Sequence, residues 1–128
     1  MPQYMLLIYG PAGQTPTPEQ MAEQMPRWNE FTQSLQDAGV MLGGDALHGP
    51  EAATTVRVRD GETQVTDGPF AETKETLGGY YAIDVPDLDT ALKYAARMPN
   101  IAYGSVEVRP VVDFSAATPS EERASASA

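Results

Sequence analysis

Few side chains in this sequence have ready acid–base chemistry. His48 is the only histidine, and histidine is the only side chain that ordinarily titrates near neutral pH. It lies in a glycine-rich stretch between Leu47 and Gly49-Pro50, a loop setting from which a base could reach a substrate. Asp67 heads the turn Asp67-Gly68-Pro69-Phe70. His48 and Asp67 are therefore the candidate catalytic pair for general acid–base work, with Asp45 or Asp67 available to orient the imidazole. The competing reading makes His48 a solvated loop residue. It has the Asp67 carboxylate hold the turn by accepting backbone N–H groups, and Gly68 tolerate the restriction that precedes a proline.

Glu72 and Glu75 bracket Thr73-Lys74. If this stretch begins a helical turn, the two carboxylates share one side, and Lys74 offers a point charge to a carboxylate or phosphate. Aromatic side chains that could wall a small apolar pocket are Tyr9, Trp28 and Phe70. The candidate ligand-binding set is thus Phe70, Glu72, Lys74, Tyr9 and Trp28. Tyr9, Tyr80 and Tyr81 can equally be core or interface residues whose hydroxyls find partners. Arg57, Arg59, Glu107 and Arg109 read as exposed cross-strand pairs of small energetic weight.

Composition narrows the chemistry further. The chain has no cysteine, so thiolate nucleophiles, iron–sulfur clusters and cysteine zinc sites are excluded, and a single histidine excludes multi-histidine metal sites. No metal and no cofactor is expected. Eight Lys+Arg against 18 Asp+Glu give a net charge of −10, which repels nucleic acid and anionic membrane surfaces. With 128 residues, 41% hydrophobic and 20% charged, one globular domain with an ordinary core is expected. No apolar run is long enough to span a bilayer, and Met1–Gly10 lacks the basic region and long apolar stretch of a signal peptide. A cytoplasmic location is expected. Ser115–Ala128 (SAATPSEERASASA) has no large apolar residue and is expected to be a disordered tail, leaving residues 1–114 as the folded domain.

The elements that must position these residues follow from patterning. Tyr4–Tyr9 (YMLLIY), closed by Gly10-Pro11, reads as a strand apolar on both faces. Thr17-Pro18-Glu19-Gln20 is a capping box with proline at the first helical position. Met21, Met25, Trp28, Phe31 and Leu35 follow at helical spacing, and Gly39 closes the helix. Pro26 predicts a kink, or a helix that begins later than Pro18. Val40–Leu42 is a brief strand. Thr54–Arg59 alternates and meets the two-residue turn Asp60-Gly61, predicting a hairpin with Arg59 opposite Glu62, Arg57 opposite Gln64 and Val56 opposite Val65. Gly78–Val85 is a further strand. Asp87 caps a second helix with Leu88, Ala91, Leu92 and Ala95 inward and Pro99 as its stop, and Gly104–Val111 is the last strand, with Val106 and Val108 inward. Without the inserted hairpin the order is βαββαβ, a ferredoxin-like α+β arrangement. Two helices cover only one face of such a sheet, so a second copy of the chain is expected on the other.

DGPFAETKE at Asp67–Glu75, followed by LGGYYAIDVPDLDTAL at Leu77–Leu92, resembles the DGPF branch of the YCII-related proteins. The similarity extends through YMLLIYG at Tyr4–Gly10, TTVRVRDG at Thr54–Gly61 and GSVEVRPV at Gly104–Val111. The resemblance implies a dimeric α+β barrel, in which two ferredoxin-like subunits join sheet to sheet as a homodimer. Most such proteins have no assigned biochemical function, and many genes of the branch lie beside those of extracytoplasmic-function sigma factors. Some relatives are suspected enzymes with a His–Asp pair, one of them a dehydrochlorinase, and carry the histidine in the first helix. This chain has Trp28 and Asn29 in that region. Two functions stay open. One is a small-molecule-binding or accessory protein. The other is a cofactor-independent lyase or isomerase that uses His48 and Asp67.

Overall fold

A computed structural model of the chain describes residues 2–13 and 16–115. Apart from Ser115, the expected tail lies outside the described residues. Six strands and two α-helices follow in the order β1 (Gln3–Pro11), α1 (Pro18–Asp37), β2 (Met41–Ala46), β3 (Thr54–Arg59), β4 (Glu62–Asp67), β5 (Glu75–Asp84), α2 (Leu88–Ala95) and β6 (Ser105–Pro110), with a single 3-10 turn at Pro50–Ala52. Four strands form an antiparallel sheet in the order β2-β5-β1-β6, and β3 pairs with β4 in a separate ribbon. The arrangement is α+β and compatible with a ferredoxin-like fold.

Strand alternation divides the sheet into two faces. Tyr4 and Leu6 of β1 and Tyr81 and Ile83 of β5 form the core with Phe31 and Leu35 of α1 and Ala91 and Ala95 of α2. Val106 and Val108 of β6 pack against the same core, as their alternation predicts. Both helices therefore lie on the inner face. Fully burying a leucine or isoleucine there is worth about 1.5–3 kcal/mol, and Leu6, Leu35 and Ile83 are all fully buried.

Helix α1 starts where its capping box predicts: the Gln20 N–H donates to Thr17 Oγ1 at 3.1 Å, and the Thr17 N–H donates to Gln20 Oε1 at 2.9 Å. The helix then runs through Pro26, so the alternative of a later start is corrected; the box fixes the first turn ahead of the proline. Only the second half of the apolar stripe is buried. Met21 and Met25 are 52% and 50% exposed, because α1 meets the sheet only from Trp28 onward. The helix ends in a Schellman motif. Gly39 has φ of 71°, its N–H donates to the Gln36 carbonyl, and the Val40 N–H donates to the Leu35 carbonyl. Asp87 caps α2 by accepting from the Thr90 N–H at 2.8 Å. The inner face of α2 is narrower than its pattern predicts, with Ala91 and Ala95 buried and Leu88 and Leu92 nearly half exposed.

Two glycines explain strand limits that differ from the pattern. The second strand runs through Gly43-Gly44 to Ala46, past a bulge. A Cβ on Gly44 would lie 2.8 Å from the Tyr80 carbonyl oxygen and 2.9 Å from the Tyr81 ring, so the glycine permits the close pairing with β5. A Cβ on Gly104 would lie 2.2 Å from the Tyr9 carbonyl oxygen. Beside it, buried Asn100 donates to the carbonyls of Tyr9 and Ser105 at 3.2 and 3.1 Å, joining the end of β1 to the start of β6. The helical turn considered around Glu72–Glu75 does not form; Glu75 instead begins β5 opposite Pro11.

The ribbon has the register its sequence predicts, with Arg59 opposite Glu62, Arg57 opposite Gln64 and Val56 opposite Val65. Asp60 and Gly61 both have positive φ, 53° and 78°, as a type I′ turn requires.

Candidate functional site

The outer face of the four-stranded sheet carries Met5, Leu7 and Tyr9 of β1, Tyr80 and Ala82 of β5, and Ser105, Glu107 and Arg109 of β6, by register and alternation. Its middle is apolar and each side ends in a tyrosine held by a carboxylate. Tyr80 donates its hydroxyl proton to Asp45 Oδ2 at 2.8 Å. Tyr9 donates to Glu107 Oε1 at 3.3 Å, and Glu107 Oε2 lies 3.0 Å from the Arg109 guanidinium. Partial burial of the ring and then the Glu107 carboxylate raise the Tyr9 pKa above its ordinary 10.0. The hydrogen bond to Asp45, and then its charge, raise that of Tyr80. Both phenols therefore stay protonated at neutral pH and serve as donors.

At one end of this face, Tyr9, Lys74, Glu75, Ser105 and Glu107 line an open depression. The Ser105 hydroxyl donates to the Glu75 carboxylate, 3.0 Å from each oxygen. The loop before β5 is fixed where it brings Lys74: the Ala12 N–H donates to the Lys74 carbonyl at 2.8 Å, and the Thr73 hydroxyl donates to the Glu75 carbonyl. The Lys74 ammonium has no ion-pair partner among the described residues. Among the described residues the depression thus offers a cation without an ion-pair partner, two hydroxyls that donate to carboxylates, and an apolar strip alongside. Lys74 can pair with the acidic end of a small, partly apolar molecule whose body lies along the strip. Among the described residues, no three histidine or carboxylate side chains converge as metal ligands.

Of the ligand residues predicted from sequence, Tyr9 and Lys74 come together here. Trp28 lies on the other side of the sheet, stacked on Tyr81 with ring centroids 6.4 Å apart. Phe70 is 75% exposed and Glu72 is exposed on the loop that leads to Lys74. The aromatic pocket considered for Trp28, Phe70 and Tyr9 is therefore not assembled within one chain. Glu75, Ser105 and Glu107 were not in the predicted set. The SVEVR alternation signals that Ser105, Glu107 and Arg109 share a face, but it gives no sign that Tyr9 is their neighbour.

His48 and Asp67 are both exposed, and neither side chain makes a hydrogen bond or ion pair among the described residues. Asp45, one of the residues that could have oriented His48, receives the Tyr80 hydroxyl instead. The Asp67 carboxylate does not hold its turn, which corrects the structural reading of that residue. The turn is held from β3: the Gly68 N–H donates to the Ala53 carbonyl at 2.7 Å, Thr55 Oγ1 donates to the Gly68 carbonyl at 2.8 Å, and Arg57 donates to the Phe70 carbonyl at 3.0 Å. Gly68 has φ of 97°, which explains the glycine directly.

An uncharacterised protein of Rhizobium meliloti (strain 1021) is 55% identical over 62 residues, which are 47% of this chain and 50% of that protein. The chain spans about half the length of the curated relative it matches. The YCII-related domain matches residues 2–115, nearly everything from β1 to the end of the described chain, and the chain belongs to that family.

Proposed function

We propose that this chain is a small-molecule-binding or accessory protein of the DGPF branch. In this reading it works as a homodimer in which two ferredoxin-like units, each with the β3–β4 ribbon inserted between β2 and β5, join outer face to outer face in an α+β barrel. The observation that carries the reading is the outer sheet face. Met5, Leu7, Tyr80 and Ala82 remain partly exposed in a single chain, and a central sheet strip of this kind calls for a cover. Closing it would turn the open depression at Tyr9, Lys74 and Ser105 into a sheltered site. The ligand class is a small organic acid with an apolar body, its acid group paired with the Lys74 ammonium and its apolar body along the sheet strip.

A thermal-shift screen of small carboxylic acids tests the binding half of the proposal. A true ligand at about 100 times its dissociation constant adds ~2.7 kcal/mol of stability, and Lys74→Gln should abolish that gain without changing the stability of the free protein. A gain that Lys74→Gln leaves intact places the ligand elsewhere.

A further inference from the structure

Apart from the bonds of Thr55 and Arg57 to the turn that follows, the β3–β4 ribbon is exposed on both faces among the described residues. Of residues 54–67 only Thr55 is even partly buried. A lone two-stranded ribbon is at best marginally stable in water, so its open faces ask what they meet. One face carries Arg57, Arg59, Gln64 and Glu62 and reads as solvent-facing. The other carries Val56 opposite Val65 and Val58 opposite Thr63, with Thr54 opposite Asp67 at its base; Val56 and Val65 are 62% and 65% exposed. Phe70, still more exposed, follows just beyond β4.

We infer that the valine face of the ribbon, with Phe70, is an arm that clasps a second copy of this chain. Area and charge both point to that partner. A face of four strands about 4.8 Å apart and about six residues long has a footprint of roughly 400 Å², about half of the ~800 Å² that each partner gives to a standard interface. The valine face supplies roughly 200 Å² more, before Phe70 is counted. Each copy carries −10, so two copies repel wherever carboxylates meet. The valine face has one carboxylate, Asp67 at its base, and is uncharged from Val56 and Val65 to its tip-side pair Val58 and Thr63, a stretch that can be approached without that repulsion. The inference rests on the homodimer reading and adds to it a contact outside the four-stranded sheet.

Light scattering over a dilution series tests it on the full chain. Val65→Glu and Val56→Glu should each weaken self-association at least tenfold, whereas Gln64→Glu, the same charge on the opposite face, should leave it unchanged. Val65→Thr, a milder change that keeps a β-branched side chain, should weaken it in the same direction. Equal association by the wild type and both glutamate variants overturns the inference. Leu7→Glu separates the two contacts. If it disrupts the dimer and the valine variants do not, the arm falls and the sheet contact stands. If the valine variants disrupt it and Leu7→Glu does not, the arm stands and the sheet contact falls. A wild type that is monomeric throughout overturns both.

Discussion

At the residue scale, Asp67 and Gly68 are neighbours with separable roles. The Asp67 side chain bonds to nothing described, so Asp67→Ala should change stability by no more than about 0.5 kcal/mol. Gly68→Ala forces a side chain onto φ of 97° and should cost about 1–3 kcal/mol. Chemical denaturation of the two variants checks both values, and a larger loss for Asp67→Ala would restore its carboxylate as the turn's anchor. Under the binding reading, His48→Gln and Asp67→Asn should leave the ligand response of the wild type unaltered; loss of response in either would bring the acid–base pair back. The Tyr9 pKa is raised above 10.0, so the stability linked to its proton is complete below the unfolded value and is lost as pH rises through the folded one. Glu107→Gln removes the carboxylate that helps raise the Tyr9 phenol and should bring its ionisation to lower pH, followed by ultraviolet absorbance. Asp87 runs the other way. Its hydrogen bonds from Thr90 hold it below its ordinary 3.8, so its contribution is present above that pH and disappears as the pH falls through the folded value. Asp87→Asn should remove that part of the acid limb from the stability profile.

At the element scale, local signals and tertiary ones part company in α1. The capping box and the Schellman glycine are written in adjacent residues, so both ends were legible from sequence. Which half of the apolar stripe meets the sheet is decided by distant elements, and the identical spacing of Met21, Met25, Trp28 and Phe31 carries no sign of it. The exposed first half of α1 thus depends on its cap more than on packing. Thr17→Ala should cost about 1 kcal/mol of local helix stability, read as faster amide exchange before Pro26 with little change beyond it. Asn100 shows the opposite case. A lone asparagine after Pro99 gives no hint that it bridges β1 and β6. Asn100→Leu leaves two carbonyls at a buried junction without their donor and should cost about 1–3 kcal/mol, measured by thermal unfolding. The ribbon was fully legible, because its register follows from the Asp60-Gly61 turn and strict alternation. The candidate site was only half legible: Tyr9 and Lys74 stood out by type, while Ser105 and Glu107 reach Tyr9 through a sheet pairing with nearly the whole chain between.

At the scale of the whole molecule, one face of the sheet is sealed by two helices and the other carries an apolar strip between tyrosine–carboxylate pairs. Both the shelter of the depression and the employment of the exposed ribbon follow from what closes that second face. The mass of the wild-type protein in solution, measured by light scattering at micromolar concentration, is the most direct test. A homodimer gives about twice the chain mass of 13.8 kDa. A single-chain mass that persists as concentration rises would contradict the account at its centre.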